Sequence, residues 1–85
     1  MPKIVKIKKD INSSIKSLYF NGTSLFIGTN GDGLQVFNPQ EKSVQDFTTN
    51  EGLPNNVVYG ILPDKEGYLW MSSNKGISKL KFHNE

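Results

Sequence analysis

Apolar residues along this chain come in short alternating runs of five or six, each closed by glycine, asparagine, aspartate or proline. That period of two and those stops are the signature of half-buried strands joined by turns, and no stretch carries the 3.6-residue period of a helix. The pattern predicts eight strands: Lys3 to Lys8, Ile15 to Phe20, Ser24 to Thr29, Gly33 to Asn38, Ser43 to Thr48, Val57 to Leu62, Tyr68 to Ser73 and Gly76 to Phe82. The fold class is all-β.

The pattern also repeats. Leu25, Phe26, Ile27, Asn30, Gly33, Leu34 and Phe37 return as Leu69, Trp70, Met71, Asn74, Gly76, Ile77 and Leu80. The offset is 44 residues at the first pair and 43 at the last, so the second copy has one residue less in its turn. A period in the low forties made of short strands is that of a β-propeller blade. Ile7 corresponds to Phe47 and Ile11 to Leu53, which sets the phase. Residues 1–10 then supply the last strand of a blade, 11–50 a full blade and 51–85 the first three strands of the next. Two four-stranded antiparallel blades per chain, cut out of phase, imply one part of a ring of about six to eight blades. The rest of the ring comes from other blades of a larger parent or from further copies, a homo-oligomer of about three or four chains. In that assembly the strand at Lys3 to Lys8 pairs with Gly76 to Phe82 of a neighbour.

Composition narrows the function. With 85 residues the chain is near the size where a lone core becomes marginal, which favours association. There is no cysteine, hence no disulfide and no thiolate metal site. No apolar run is long enough to span a membrane. The net charge is +2 and all ten basic residues are lysine, so the bidentate fork that nucleic-acid recognition favours is missing. Lys3, Lys6, Lys8 and Lys9 carry the excess, and without them the balance is −2. Such a cluster suits an edge strand guarded against aggregation, or a basic arm for an acidic partner.

One segment is specific enough to suggest a family. Gly52 to Leu80, GLPNNVVYGILPDKEGYLWMSSNKGISKL, closely resembles the two-component regulator propeller repeat through Gly52, Leu53, Pro54, Asn56, Val58, Ile61, Asp64, Gly67, Leu69, Trp70 and Gly76. The first copy is looser and has Asn21-Gly22 where the family places an aspartate hairpin. The resemblance implies a sensor region of hybrid histidine kinases, extracytoplasmic or periplasmic, many of which respond to oligosaccharides. No kinase or receiver domain is present in these residues.

Few side chains suggest chemistry. Asp64 and Glu66 share one tight turn, where turn formation explains them better than glycoside hydrolysis. The segment around Asp64, Gly67 and Trp70 also resembles the aspartate box of sialidase-like propellers, with the spacing wrong by one. Asn30 to Gly33 offers oxygen ligands but not the acidic positions of a calcium loop. His83 is the only histidine and no triad motif accompanies it. The expectation is therefore no enzyme, no cofactor and no metal. Leu53 is expected to plug the space between blades, Trp70 to pack in the buried layer between sheets, and Asp64 with Gly67 to shape a hairpin. Successive strands alternate ends, so Asn30, Asp32, Asn55, Asn56, Asn74 and Lys75 fall on one face of the ring, where amide groups suit an uncharged polyol such as a carbohydrate. Three function classes stand: a ligand-sensing propeller segment, a structural or protein-interaction propeller without a small ligand, and, disfavoured, a sialidase-like glycan-processing propeller.

Overall fold

The computed structural model describes residues 2–4 and 13–81. Seven strands lie among them: β1 (Ile15–Phe20), β2 (Leu25–Thr29), β3 (Leu34–Asn38), β4 (Ser43–Phe47), β5 (Gly60–Pro63), β6 (Tyr68–Ser73) and β7 (Gly76–Lys81). β1 to β4 form one antiparallel meander and β5 to β7 a second. The strand expected at Lys3 to Lys8 lies largely outside the described residues, and residues 2–4 are not in a strand.

Side chains facing the other sheet fall in cross-strand rows. Tyr19 pairs with Phe26 and Phe26 with Val36, while Gly28 pairs with Leu34 and Leu34 with Phe47. From the second sheet Leu69 and Met71 face them, flanked by Leu80 and Ile61. Phe26, Leu34, Val36, Val58, Leu69 and Met71 make the buried cluster, with Tyr19, Phe47, Leu53, Ile61 and Leu80 packed around it. Each fully buried side chain of this size is worth about 1.5–3 kcal/mol of hydrophobic stabilisation, so the cluster between the sheets holds them together.

The turns are built by side-chain oxygens that replace missing backbone partners. Asn21 Oδ1 accepts from the N–H groups of Thr23 and Ser24 at 2.9 and 2.7 Å, and Asn38 Oδ1 from those of Gln40 and Glu41 at 3.0 and 3.1 Å. Asp64 Oδ1 does the same for Glu66 and Tyr68 at 2.8 and 3.0 Å. The asparagine of the first copy thus takes the place of the aspartate in the second.

Two expectations need correction. The strand expected from Val57 to Leu62 begins only at Gly60, because its first half bonds to the other sheet. Val58 N–H donates to the Thr29 carbonyl at 2.8 Å, Asn56 C=O accepts from Gly31 and Gly33 at 3.0 and 2.8 Å, and Val57 bridges to Asn30. Tyr59 N–H then turns to Ser72 C=O at 2.8 Å, where pairing with β6 starts. Gly28 permits this crossing, since a Cβ there would lie 2.7 Å from the Val58 carbonyl oxygen.

Trp70 is the second correction. Expected in a buried layer, it is 39% exposed, whereas its counterpart Phe26 is 1% exposed. Alternation is the reason. Leu69 and Met71 point at the first sheet, so Trp70 between them must point the other way, away from that sheet.

Candidate functional site

At the end of the first blade where β2 turns into β3, the loops gather polar groups. Thr29 is fully buried, and its hydroxyl donates to Gly33 C=O at 2.7 Å and accepts from Asp32 N–H at 3.0 Å. Gly33 holds φ at 76°, and a Cβ there would collide with the Phe47 carbonyl oxygen, so this turn presses directly on the chain leaving β4. Ser73 repeats the device in the second blade. Its hydroxyl donates to Gly76 C=O at 3.3 Å and accepts from Lys75 N–H at 3.1 Å, across a turn one residue shorter.

After β4 the chain makes a single 3-10 turn, Thr49–Glu51, closed by a reciprocal cap. Thr48 Oγ1 accepts from Asn50 N–H at 3.1 Å while Glu51 Oε1 accepts from Thr48 N–H at 2.7 Å. Asn56 Oδ1 accepts from Thr49 N–H at 2.9 Å and ties this turn to the crossing segment.

Between these loops lies an open cleft of about 350 Å³, lined by Asp32, Gln35, Asp46, Thr48, Asn50 and Asn56 together with Gly31 and Thr49. Gln35 Oε1 is buried there without a hydrogen-bond partner among the described residues. Acceptors dominate the lining, which suits a ligand rich in hydroxyl or other N–H and O–H donors.

Of the six loop residues expected to share a ligand, the cleft unites Asp32 and Asn56. Asn30 stands beside them through its bridge to Val57. Asn55 is engaged in its own turn, its Oδ1 accepting from Val57 N–H at 2.8 Å. Asn74 accepts from the Tyr59 hydroxyl at 2.7 Å in the second blade, and neither Asn74 nor Lys75 lines the cleft. Gln35, Asp46, Thr48 and Asn50 were not anticipated. The Thr48-x-x-Glu51 pattern signals the cap that places Thr48 and Asn50, whereas Gln35 and Asp46 read as ordinary strand positions.

Below the cleft, Asp64 organises the β5–β6 hairpin. Its Oδ2 accepts from Trp70 Nε1 at 2.8 Å. That bond, then the Tyr68 and Glu66 N–H groups and the nearby Lys79 charge hold the carboxyl below the usual carboxylate range, against a smaller opposing effect of partial burial. Lys79 Nζ lies 4.3 Å from the Tyr68 ring centre and 4.9 Å from that of Trp70. Among the described residues no three His, Cys, Asp or Glu side chains gather as a metal site.

A turn-capping aspartate bonded to a strand tryptophan, following a Gly-Leu-Pro crossing segment, is the sequence that matches the model of the two component regulator propeller, over residues 52–75. The second copy of the repeat is thus similar to the two component regulator propeller. Beyond this repeat, the propeller fold of the chain is shared with solved structures. It superimposes on the extracellular domain of BT4673 from B. thetaiotaomicron in two structures, one given as a hybrid and one as a one component system. The TM-scores are 0.75 and 0.79 and the identities 25% and 30%, over 85% and 98% of this chain. The chain spans 10% and 12% of those domains' length, so it corresponds to a fragment of a propeller. No curated protein matches the sequence significantly.

Proposed function

We propose that this chain is a two-blade segment of an extracytoplasmic sensor propeller, and that the cleft at Asp32, Asn50 and Asn56 takes an uncharged polyol such as an oligosaccharide. The observation that supports it best is the cleft itself, an acceptor-rich opening beside a two component regulator propeller repeat. Hydroxyl groups of a sugar satisfy carboxylate and amide acceptors without bringing a charge to be desolvated. The extracellular placement of BT4673 supports a location outside the cytoplasm. The segment binds rather than catalyses, a reading supported by the model its residues 52–75 match, that of a two component regulator propeller.

A glycan array tests the binding, with Asp32→Ala and Asn50→Ala as variants. Retention of a set of oligosaccharides by the intact chain, weakened at least tenfold in both variants, is the expected result. Retention of no glycan, or equal retention by the variants, rejects the cleft. Chromogenic glycosides are expected to remain uncleaved, and turnover that survives repurification would restore the enzymatic reading.

A further inference from the structure

The chain contains two Asn-Gly pairs, Asn21-Gly22 between β1 and β2 and Asn30-Gly31 between β2 and β3. An asparagine followed by glycine is open to attack on its own side chain, because no Cβ shields the next main-chain nitrogen. All four residues are exposed, so water reaches both pairs. What separates them is the hydrogen bonding of that nitrogen.

Gly31 N–H donates to Asn56 C=O at 3.0 Å, and the same carbonyl takes the N–H of Gly33, which follows Asp32, at 2.8 Å. Both nitrogens are held in the seam between the blades, and neither can turn on the side chain before it without breaking a bond. Gly22 N–H has no acceptor among the described residues, and a Cβ built on Gly22 meets nothing within 4 Å. The group it would attack is also prepared. Asn21 Oδ1 accepts from Thr23 and Ser24 N–H at 2.9 and 2.7 Å, so two donors already point at the oxygen on which negative charge gathers when the side-chain carbon is attacked.

We propose that Asn21 is a site of spontaneous deamidation, and that Asn30, with the same following residue, is kept intact by the seam. The Gly22 nitrogen gives its proton to solvent base and bonds to the side-chain carbonyl carbon of Asn21. The bond from that carbon to the amide nitrogen breaks, and ammonia leaves with a proton taken from water, which closes a five-membered imide. Water then opens the imide at one of its two carbonyls. Opening at the former side-chain carbon restores the main chain and leaves aspartate, while opening at the main-chain carbon routes the chain through the side chain and adds a methylene to it.

Aspartate is what the second copy carries at this place. Asp64 Oδ1 accepts from Glu66 and Tyr68 N–H as Asn21 Oδ1 accepts from Thr23 and Ser24. The aspartate product therefore keeps the cap and strengthens its bonds with a charge, and the net charge of +2 falls by one. The other product lengthens the turn that sets Phe20 opposite Leu25, and so loosens that end of the β1–β2 pair. None of this depends on what the cleft binds.

Peptide mapping by mass spectrometry of the intact chain, aged in mildly alkaline buffer with and without urea, tests the site. In urea both pairs are expected to convert at similar rates, since both nitrogens are then free. In the folded chain Asn21 is expected to convert at least about tenfold faster than Asn30, the factor that one bond broken to release the Gly31 nitrogen supplies. Gly22→Ala is expected to slow conversion at Asn21, and an unchanged slow rate at Asn30 in that variant shows that the seam is intact. Asn21→Asp is expected to fold with an unchanged circular dichroism spectrum and to melt no lower than the intact chain. Equal rates at the two pairs in the folded chain overturn the proposal, as does an Asn21 that persists in the folded chain over the time in which the unfolded chain reacts.

Discussion

Asp64 and Trp70, six residues apart, are joined across the β5–β6 hairpin by a 2.8 Å bond from the indole nitrogen to a carboxylate oxygen. The other oxygen of the same carboxylate closes the turn by accepting from Glu66 and Tyr68. One side chain thus sets both the shape of the turn and the orientation of the large aromatic ring on the strand that follows.

This bond predicts an acid-sensitive hairpin. The Trp70 bond first, then the Tyr68 and Glu66 N–H groups and Lys79, depress the folded-state pKa of Asp64. The unfolded chain therefore binds the proton more readily. The stabilisation is fully present above the unfolded carboxyl value of about 4 and is lost as pH falls through the lower folded value. Trp70 fluorescence should change in that window, and in Asp64→Asn the change should be absent.

Phe26→Ala should destabilise the chain by about 3–5 kcal/mol, because it empties the centre of the buried cluster. Trp70→Ala should cost clearly less in the monomer despite removing more atoms, since its ring is partly solvated already. Urea denaturation of both variants as monomers ranks them, and an equal or greater loss at Trp70 contradicts the exposed placement.

Gly33→Ala and Gly52→Ala separate two costs. Both residues hold positive φ, 76° and 105°, where a side chain adds about 1–2 kcal/mol of strain. Gly52 opens to free space, whereas a Cβ at Gly33 meets the Phe47 carbonyl. Chemical denaturation should show Gly33→Ala as distinctly the worse of the two.

Thr48→Ala removes the cap of the 3-10 turn and should cost about 1 kcal/mol, with loosened amides at Asn50 and Glu51 in hydrogen exchange. Thr48→Ser keeps the accepting hydroxyl and should retain most of that protection.

Much of the fold is legible along the chain because the strands obey a period of two and the turns use asparagine, aspartate and glycine for stated geometric reasons. The repeat goes further and pairs Thr29 with Ser73, whose hydroxyls make equivalent bonds in turns of unequal length. What pattern cannot show is where a strand's hydrogen bonds go. Val57 and Val58 have the composition of a strand that joins β6, yet their bonds run to Thr29 and Asn30 of the other sheet. Trp70 illustrates a similar gap. Its alignment with Phe26 identifies an interface position, but the alternation of Leu69, Trp70 and Met71 decides which side it faces. In the cleft, the loop residues Asp32 and Asn56 follow from strand direction, whereas Gln35 and Asp46 depend on cross-strand register.

The crossing segment has a mechanical consequence. Asn56 and Val58 are stitched by backbone bonds to Gly31, Gly33 and Thr29, and Tyr59 to Ser72, within four residues. A linker so fastened at both ends cannot act as a hinge. Force applied to one blade passes to the other as a tilt of the pair, and neither sheet can peel away without first breaking the bonds of this seam. The two blades therefore melt, exchange their amides and transmit displacement as one unit.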